Sequence, residues 1–350
     1  MDRSKKPMSR LHYHPLEVLE VIEETADART LVFAVPPALR ETFRFKPGQH
    51  LQLHVPCAAT PLPRCYSLTG APEESDRLRV TVKRIKDGRA SGWLVSELKP
   101  GDRLDVAPPA GVFTPRSLDA EFLMFAAGSG ITPVYCILNS VLARGRGRVR
   151  LIYANRDERS VIFAAALARL AREHPQRLQV IHWLETLQGL PTAALLAPLA
   201  AGWERAESYL CGPAPFMEAA QAALHALHVP HAQIHIERFV SLPEDADEAP
   251  PAAPAAGGQD VEIEVELDGA VHRLVAHPGE LVIEALERAG LSPPFSCRAG
   301  ACAACMCKLE EGAVELAHNH VLDDNDLKAG WILACQAIPK SPRLKLSYPQ

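Results

Sequence analysis

The chain has 350 residues, a formal net charge of −5 and 47% hydrophobic residues. This length exceeds what one hydrophobic core usually fills, so we expect two or three domains. The slightly acidic balance gives no reason to expect nucleic-acid binding. No stretch approaches the ~18 apolar residues of a membrane span, and the basic N-terminus is not followed by the apolar region of a signal peptide. We therefore expect a soluble, cytoplasmic protein.

The first domain is predicted over residues 10–117. Its sequence consists of short, β-branched-rich runs separated by turn residues and has no long helical period. Such runs are typical of an antiparallel β-barrel.

The second domain is predicted over residues 118–242, where strand and helix patterns alternate. This alternation predicts a parallel sheet covered by helices on both faces, an α/β domain. No GxGxxG fingerprint is present. The predicted strands cover 121–127, 150–155, 178–185, 207–212 and 234–239, and the predicted helices cover 133–145, 160–171 and 215–227.

A linker and a third domain complete the chain. Residues 243–259 are rich in proline, alanine and acidic residues, which predicts an extended linker with a glycine hinge. In the domain 260–350, two strands flanking Asp268-Gly269 predict a β-hairpin, and 281–290 has helical spacing that ends on glycine.

A cysteine cluster is the most specific motif. Four of the nine cysteines lie between Cys297 and Cys307, which favours metal ligation over a disulfide framework. Cys297, Cys302 and Cys305 have the spacing of a plant-type [2Fe–2S] loop, and Cys335 supplies a fourth thiolate. The alternatives are a zinc site, which usually needs a second CxxC pair, or buried free thiols. Cys307 follows in a strand and is expected to face away.

A possible flavin site lies at the end of a barrel strand. Tyr66 could stack on an isoalloxazine ring, Ser67 could hydrogen-bond its polar atoms, and Arg64 could neutralise phosphate. A Gly/Ser-rich turn at 88–94 opens a helix that could offer N–H groups to a pyrophosphate. A tyrosine flanked by strand residues is, taken alone, more often just a packed ring; its position ahead of the other two motifs favours the flavin interpretation.

A possible nucleotide site joins strand 121–127 to the next helix. Gly128 and Gly130 let the backbone approach a ligand, while Thr132 is predicted as the helix N-cap with Pro133 first in the helix. The alternative is an ordinary strand–helix turn.

Two further segments fit the same nucleotide site. Cys211, Gly212 and Pro213 end a later strand on the same sheet edge, although Cys211 could be an inert core thiol. Asp157 follows the second strand, where an acid would bind a ribose 2′-hydroxyl and repel a 2′-phosphate. We therefore expect NADH rather than NADPH, with Arg156 and Arg159 arguing the other way.

In this order the motifs resemble the ferredoxin–NADP reductase superfamily, in the branch with a C-terminal plant-type ferredoxin. The matching segments of the reductase portion are RCYSL, VKRI–DGRASGWL, PAGVF, AAGSGITP, YANRDERSVIF, YLCGPAPFM and IHIERF; those of the ferredoxin are CRAGACAACMC and ILACQ. Members include reductases of 3-ketosteroid 9α-monooxygenase and phenylacetyl-CoA epoxidase. The segments EETADARTLVFAVP, HWLETLQGLP and ERFVSL resemble the first of these more closely.

The resemblance implies a fold and a set of site residues. It implies an FAD-binding barrel, an α/β nucleotide domain and a β-grasp [2Fe–2S] ferredoxin. FMN-using relatives share part of the motif, but the helix start GRASGWL is closer to the FAD users. The implied flavin contacts are Arg64, Tyr66, Ser67, Val82, Lys83 and Ser91. The implied catalytic residues are Thr132, Cys211 and Glu237, with Phe239 near the flavin.

The expected function is electron transfer from NADH through FAD and the cluster to a terminal oxygenase, for which the resemblance implies a 3-ketosteroid 9α-hydroxylase. Segment 260–350 holds 14 acidic and 8 basic residues, against 28 and 29 in 1–259, so the ferredoxin could steer towards a basic partner surface. Plain solubility explains the same charge equally well. Two other functions remain open, the reductase of a di-iron epoxidase and an iron–sulfur redox sensor that is not an enzyme.

Overall fold

The computed structural model describes residues 13–59, 61–72, 76–239, 259–295 and 297–348. Residues 243–258 of the predicted linker and 10–12 of the predicted first domain lie outside these ranges. The chain forms two compact units, one spanning Tyr13–Phe239 and one containing the C-terminal residues. No helix in the described ranges is both long and apolar enough to cross a membrane.

The N-terminal part of the first unit is a closed antiparallel sheet. The strand order is β4-β3-β6-β1-β2-β5, and an antiparallel bridge between Leu68 and Val80 joins its two edges. This confirms the predicted barrel. Helix α1 (Arg89–Ser96) follows β5. The strands are β1 (His14–Thr25), β2 (Ala28–Ala34), β3 (His50–Val55), β4 (Leu62–Ser67), β5 (Arg77–Lys83) and β6 (Arg103–Val106).

The rest of the first unit is a five-stranded parallel sheet with helices on both faces. Its order is β11-β10-β7-β8-β9. The strands are β7 (Phe122–Ala127), β8 (Val149–Asn155), β9 (Leu178–Leu184), β10 (Glu207–Cys211) and β11 (Ile234–Glu237). The helices are α2 (Ile131–Arg144), α3 (Ala164–Glu173), α4 (Glu185–Gln188), α5 (Ala193–Ala200) and α6 (Ala214–Ala226).

Strand β7 shows why this sheet is covered on both faces. Successive side chains of a strand point to opposite faces. Phe122 and Met124 pack with α2 and α3, whereas Leu123 and Phe125 pack with α5 and α6. All six residues of β7 are buried, as expected for a central parallel strand.

Two predicted helix starts were wrong. Helix α2 begins at Ile131, so Thr132 is its second residue and not its N-cap. Helix α3 begins at Ala164 rather than at residue 160, because Asp157 and Ser160 form a reciprocal capping box around a single 3₁₀ turn. Phe163 then adopts a left-handed φ of 61°, which separates that turn from the helix.

The C-terminal unit is a mixed β-sheet that packs against helix α7 (Val282–Arg288). Its order is β13-β12-β18-β14-β16, with β12 and β18 parallel; β15 and β17 pair separately, and α8 (Asp324–Lys328) precedes β16. This confirms the expected ferredoxin fold. The strands are β12 (Val261–Leu267), β13 (Ala270–Ala276), β14 (Met306–Glu311), β15 (Val314–Leu316), β16 (Trp331–Leu333), β17 (Ala337–Pro339) and β18 (Arg343–Ser347).

Local sequence determines two turns of this unit. Asp268 and Gly269 have φ values of 53° and 75°, as the two central residues of a tight hairpin turn require, and β12 and β13 pair on either side of them. Gly290 has a φ of 82° and its N–H donates to the carbonyl of Glu287, so it caps α7 as predicted.

Candidate functional site

The glycine turn after β7 lies against the end of β10. Gly128 adopts a left-handed φ of 53°, and Gly130 precedes the first residue of α2. A Cβ on Gly130 would lie 2.1 Å from the carbonyl oxygen of Cys211, so only glycine allows this approach. The turn therefore places the N-terminus of α2 at the carboxyl edge of the sheet, where helix N-termini bind anions.

Two predicted catalytic side chains are buried beside this turn. Thr132 is 2% exposed, and its hydroxyl donates to the carbonyl of Ser129 at 3.0 Å. Cys211 is fully buried at the end of β10. Burial, with a further contribution from the negative charge of Glu237, raises the pKa of the Cys211 thiol well above its ordinary value. Cys211 is therefore a neutral thiol.

Glu237 ends β11 and pairs in register with Cys211. The residue as a whole is half-buried, but its Oε2 is buried and has no hydrogen-bond partner among the described residues. Burial raises the pKa of this carboxyl to about 7, and the positive charge of His50 acts against the shift. Glu237 can therefore gain or lose a proton near neutral pH.

The predicted flavin residues of β4 lie at one edge strand of the barrel sheet. Ser67 is 2% exposed, and its Oγ has no hydrogen-bond partner among the described residues. Burial raises the pKa of Tyr66, so this residue is a neutral phenol. Arg64 is half-buried, and its Nη1 donates to the carbonyl of Pro63 at 2.9 Å.

His50 of the barrel interacts with one site residue of the barrel and one of the parallel sheet. It pairs in register with Ser67, and its charge acts on Glu237. Ser67 Oγ and Glu237 Oε2 are both buried, and His50 is the strand partner of the first residue and acts by its charge on the second. A buried unpaired oxygen costs about 1–3 kcal/mol, whereas the polar edge of a flavin ring could supply the missing partners. These residues fit a bound flavin.

Of the residues expected near the phosphates, Lys83 and Ser91 could contact the cofactor through their side chains, whereas Val82 could do so only through its backbone. Lys83 Nζ lies 3.8 Å from Asp27 and 3.9 Å from the Cβ position of Gly128, so it reaches the glycine turn. Ser91 Oγ accepts a bond from the N–H of Ile85 at 3.1 Å, in the first turn of α1. The side chain of Val82 is fully buried in the barrel core, so only its backbone could contact a cofactor.

Asp157 lies after the carboxyl end of β8, but both of its carboxylate oxygens already have partners. Oδ1 accepts from the N–H of Ser160 at 2.9 Å, and Oδ2 lies 3.1 Å from Arg156 Nε. The hydrogen bond from Arg156 is the main cause that lowers the pKa of Asp157. The Asp157 carboxylate is therefore charged at this position and is paired with Arg156.

Gly212 and Pro213 form the turn after β10. A Cβ on Gly212 would lie 2.9 Å from the Cβ of Ala127, so this glycine allows the two strand ends to approach each other. Pro213 precedes the first residue of α6, a helix start that also opens at the carboxyl edge of the sheet. Phe239, which was expected near the flavin, is 46% exposed.

The cysteine loop of the C-terminal unit curls around its own sulfur atoms. The N–H groups of Ala299 and Ala301 donate to Cys297 Sγ at 3.4 and 3.3 Å. The N–H of Cys297 donates to Cys302 Sγ at 3.3 Å. Left-handed φ values at three separate positions of the loop accompany this curl: they belong to Arg298, Gly300 and Ala303.

The four thiols predicted as iron ligands form two hydrogen-bonded pairs. Cys297 hydrogen-bonds Cys302, and Cys305 hydrogen-bonds Cys335. These contacts are the main cause that raises the pKa of Cys297 and Cys305, while the bond from Cys305 lowers the pKa of Cys335. Among the described residues, no group of three or more potential ligands surrounds a single metal position.

The paired arrangement fits a two-iron cluster better than a zinc ion. A [2Fe–2S] cluster takes two thiolates on each iron, whereas structural zinc takes four ligands at one point. Sulfur atoms that already accept N–H bonds also suit a cluster, since such bonds stabilise negative sulfur. Cys307, predicted to face away, is fully buried in the core of the unit beside Tyr348.

Sequence reasoning missed His50 and Gln336. His50 lies in an ordinary barrel strand, and only the register of β3 with β4 brings it to Ser67. Gln336 follows Cys335 directly, and its amide contacts the cysteine loop. Its adjacency to a predicted ligand was the one signal that could have found it.

Comparisons with known proteins match all three parts of the chain. Residues 15–114 match the oxidoreductase FAD-binding domain, 124–222 the oxidoreductase NAD-binding domain, and 265–340 the 2Fe-2S iron-sulfur cluster binding domain. The 3-ketosteroid-9-alpha-monooxygenase ferredoxin reductase component of Rhodococcus rhodochrous is 49% identical over 337 residues, 95% of this chain and 96% of that protein. The chain belongs to this family of reductases.

Two other similar proteins support the assignment. A component of the 1,2-phenylacetyl-CoA epoxidase of Escherichia coli K12 is 36% identical over 343 residues, 93% of this chain and 95% of that protein. The solved structure of phthalate dioxygenase reductase has the same fold, with a TM-score of 0.57 and 23% identity over 96% of this chain and 98% of its own. The reductase is therefore an FAD- and NAD-binding oxidoreductase with a [2Fe–2S] domain.

The raised pKa of Glu237 predicts a pH-dependent stability of the reductase. The folded carboxyl binds its proton more tightly than the unfolded one, whose pKa is near 4.5. Its contribution to folding is thus fully present below about pH 4.5 and is lost as the pH rises through about 7. In Glu237→Gln, the free energy of unfolding in urea should fall less between pH 5.5 and 8.5 than in the wild type.

Glu218→Gln is the matched control, because Glu218 is exposed on α6. It should reproduce the wild-type pH dependence. If Glu237→Gln did so as well, the carboxyl would not hold a proton near neutral pH.

Proposed function

We propose that this protein takes hydride from NADH and passes electrons one at a time to a terminal oxygenase that hydroxylates a 3-ketosteroid at the 9α position. The observation that carries this proposal is the 49% identity to a reductase of that system over nearly the whole length of both chains. The 36% identity to the epoxidase component makes a di-iron epoxidase the second candidate partner.

Bound FAD would supply the conversion between two-electron and one-electron chemistry, since it accepts a hydride and releases electrons singly. The chain's own residues position it. We propose that Tyr66 packs on the ring, that the Ser67 hydroxyl and Glu237 meet its polar edge, and that Arg64 neutralises phosphate. The pKa of about 7 allows Glu237 to hold a proton where hydride arrives.

The nicotinamide nucleotide would bind at the carboxyl edge of the parallel sheet. The N-terminus of α2 would hold its pyrophosphate, with Gly128 and Gly130 allowing close approach. Thr132 and Cys211 would then border the nicotinamide, and Gly212 and Pro213 would complete the wall. The neutral state of Cys211 suits this role, because a thiolate would repel an incoming hydride.

For the cluster, we propose that Cys297 and Cys302 bind one iron and that Cys305 and Cys335 bind the other. The pairing of the thiols and the N–H bonds to Cys297 Sγ support this division.

All nine cysteines are free in the described structure, which supports a reducing compartment such as the cytoplasm.

The ligand assignment predicts opposite outcomes for two neighbouring cysteines. Cys302→Ser should lose the two irons and the visible absorbance of the cluster, because serine is a poor ligand for iron in such a site. Its flavin content should stay at the wild-type level, since the flavin residues lie in the other unit. Iron analysis and visible spectra of the purified protein measure both effects.

Cys307→Ser is the control, because Cys307 is buried in the same unit but lies outside the paired thiols. It should keep its irons and lose at most some stability. Full iron retention by Cys302→Ser would overturn the assignment.

We propose NADH as the donor because the Asp157 carboxylate is charged at the ribose end and is paired with Arg156. A 2′-phosphate would meet this negative charge. Asp157→Asn keeps a good N-cap residue but removes the charge. The ratio of kcat/KM for NADPH to that for NADH should rise about tenfold, which corresponds to about 1.4 kcal/mol.

Glu158→Gln is the matched control, since Glu158 is an exposed acid one residue away. It should leave the ratio near the wild-type value. A ratio unchanged in Asp157→Asn, or a wild type that prefers NADPH, would refute the proposed nucleotide choice.

Reconstitution with purified oxygenases tests the partner. The reductase and NADH should support product formation by a 3-ketosteroid 9α-hydroxylating oxygenase at least about tenfold faster than by a phenylacetyl-CoA epoxidase, and added salt should slow the faster reaction because the ferredoxin segment is acidic. A higher rate with the epoxidase would reverse the order of the two candidates. A rate insensitive to ionic strength would remove the electrostatic part of the proposal.

A further inference from the structure

Gln336 contacts both the cysteine loop and the distant ligand Cys335. It follows Cys335 directly and is 4% exposed. Its Nε2 donates to the carbonyl of Arg298 at 2.7 Å and lies 3.7 Å from Cys335 Sγ, a hydrogen-bond distance for sulfur. An amide nitrogen carries two hydrogens, so both bonds can form at once. One side chain therefore connects the loop that begins at Cys297 with the more distant Cys335.

The Arg298 carbonyl, which accepts the hydrogen bond from the Gln336 amide, is held in place by contacts of the Arg298 side chain. Arg298 adopts a left-handed φ of 52°, a conformation that costs energy in a residue other than glycine. Its guanidinium forms an ion pair with Glu287, whose side chain is only 5% exposed, and lies 4.2 Å from the ring centre of Phe295. These contacts hold the Arg298 backbone so that its carbonyl faces Gln336.

The backbone of Gln336 is fixed as well. Its N–H donates to Leu333 and its carbonyl accepts from Ala317, both at 2.9 Å. A Cβ on Gly300 would lie 3.1 Å from Gln336 Cγ, so the cysteine loop also packs on the side chain. Gln336 therefore has little freedom to turn its amide away from the sulfur.

We propose that Gln336 is a positioning residue that raises the reduction potential of the [2Fe–2S] cluster by donating an N–H to Cys335 Sγ. This rests on the proposed ligand role of Cys335. Reduction adds negative charge to the cluster, so an N–H aimed at a ligand sulfur stabilises the reduced form more than the oxidised form. The bond to Arg298 holds the amide in the orientation that directs its second hydrogen at the sulfur.

Two substitutions separate this role from simple packing. Gln336→Leu removes both hydrogen bonds and keeps a similar volume. Gln336→Glu keeps the shape, removes the donor and adds a negative charge beside the cluster. Redox titration of the intact holoprotein, followed by the electron paramagnetic resonance signal of the reduced cluster, gives the potential of each variant together with any change in g values.

The expected order of potentials is wild type, then Gln336→Leu, then Gln336→Glu as the lowest. At a fixed potential the ratio of reduced to oxidised cluster should fall about tenfold in Gln336→Leu, which corresponds to about 59 mV for one electron. Iron content should stay at two per chain. If Gln336→Leu fails to retain the cluster, Gln336→Glu decides the question.

Leu274→Ala is the control for general loosening, because Leu274 packs on the core of the unit from β13. It should leave the potential unchanged. Wild-type potentials and g values in both Gln336 variants, or an equal decrease in Leu274→Ala, would overturn the proposal. A wild-type protein that binds no iron would instead overturn the ligand assignment, so the two failures are distinguishable.

Discussion

The close approach of two backbones at the carboxyl edge of the parallel sheet is the constraint on which the nucleotide half of the molecule depends. With no side chain at Gly130, the turn after β7 packs directly on the carbonyl of Cys211. This contact places the start of α2 beside the end of β10, and the parallel register places Glu237 beside Cys211. This backbone contact therefore brings the N-terminus of α2 to the buried thiol, and the register of β11 adds the titrating carboxyl.

The barrel contributes the other wall of the same site. Cys136 of α2 lies in the barrel core and donates to the carbonyl of Gly70, so barrel and parallel sheet form one packed unit. Ser67 and Glu237 each leave a buried oxygen without a partner in the described structure. Such oxygens are costly in a protein interior unless a ligand satisfies them. A cofactor with a polar edge accounts for both at once.

In the C-terminal unit, the main electrostatic constraint is repulsion among the four ligand thiolates. Four thiolates close together would repel one another, and the hydrogen bonds within the pairs, burial and neighbouring thiols all raise the pKa of Cys297 and of Cys305. Irons would remove this repulsion, and the N–H groups of the loop would stabilise the remaining negative charge on sulfur. A nicotinamide gives electrons in pairs and a cluster takes them singly, and a flavin between them can make this conversion.

Sequence patterns predicted the order of the three domains and several of their strands, and they missed features set by one local capping box and by tertiary contacts. The alternating sequence VEIEVEL predicted β12, since one face of this strand is buried, and the Asp268-Gly269 turn predicted β13 as its hairpin partner. The start of α3 was missed because a capping box between Asp157 and Ser160 diverts four residues that have helical spacing. The roles of His50 and Gln336 depend on strand register and on a folded loop, which no local pattern records.

The central claim is that hydride electrons reach the iron–sulfur cluster through the flavin. Anaerobic titration of the purified holoprotein with NADH, followed by visible and electron paramagnetic resonance spectra, tests it most directly. The flavin bands should bleach, and a reduced [2Fe–2S] signal should appear in the same protein. Bleaching of the flavin bands with no iron–sulfur signal would contradict it.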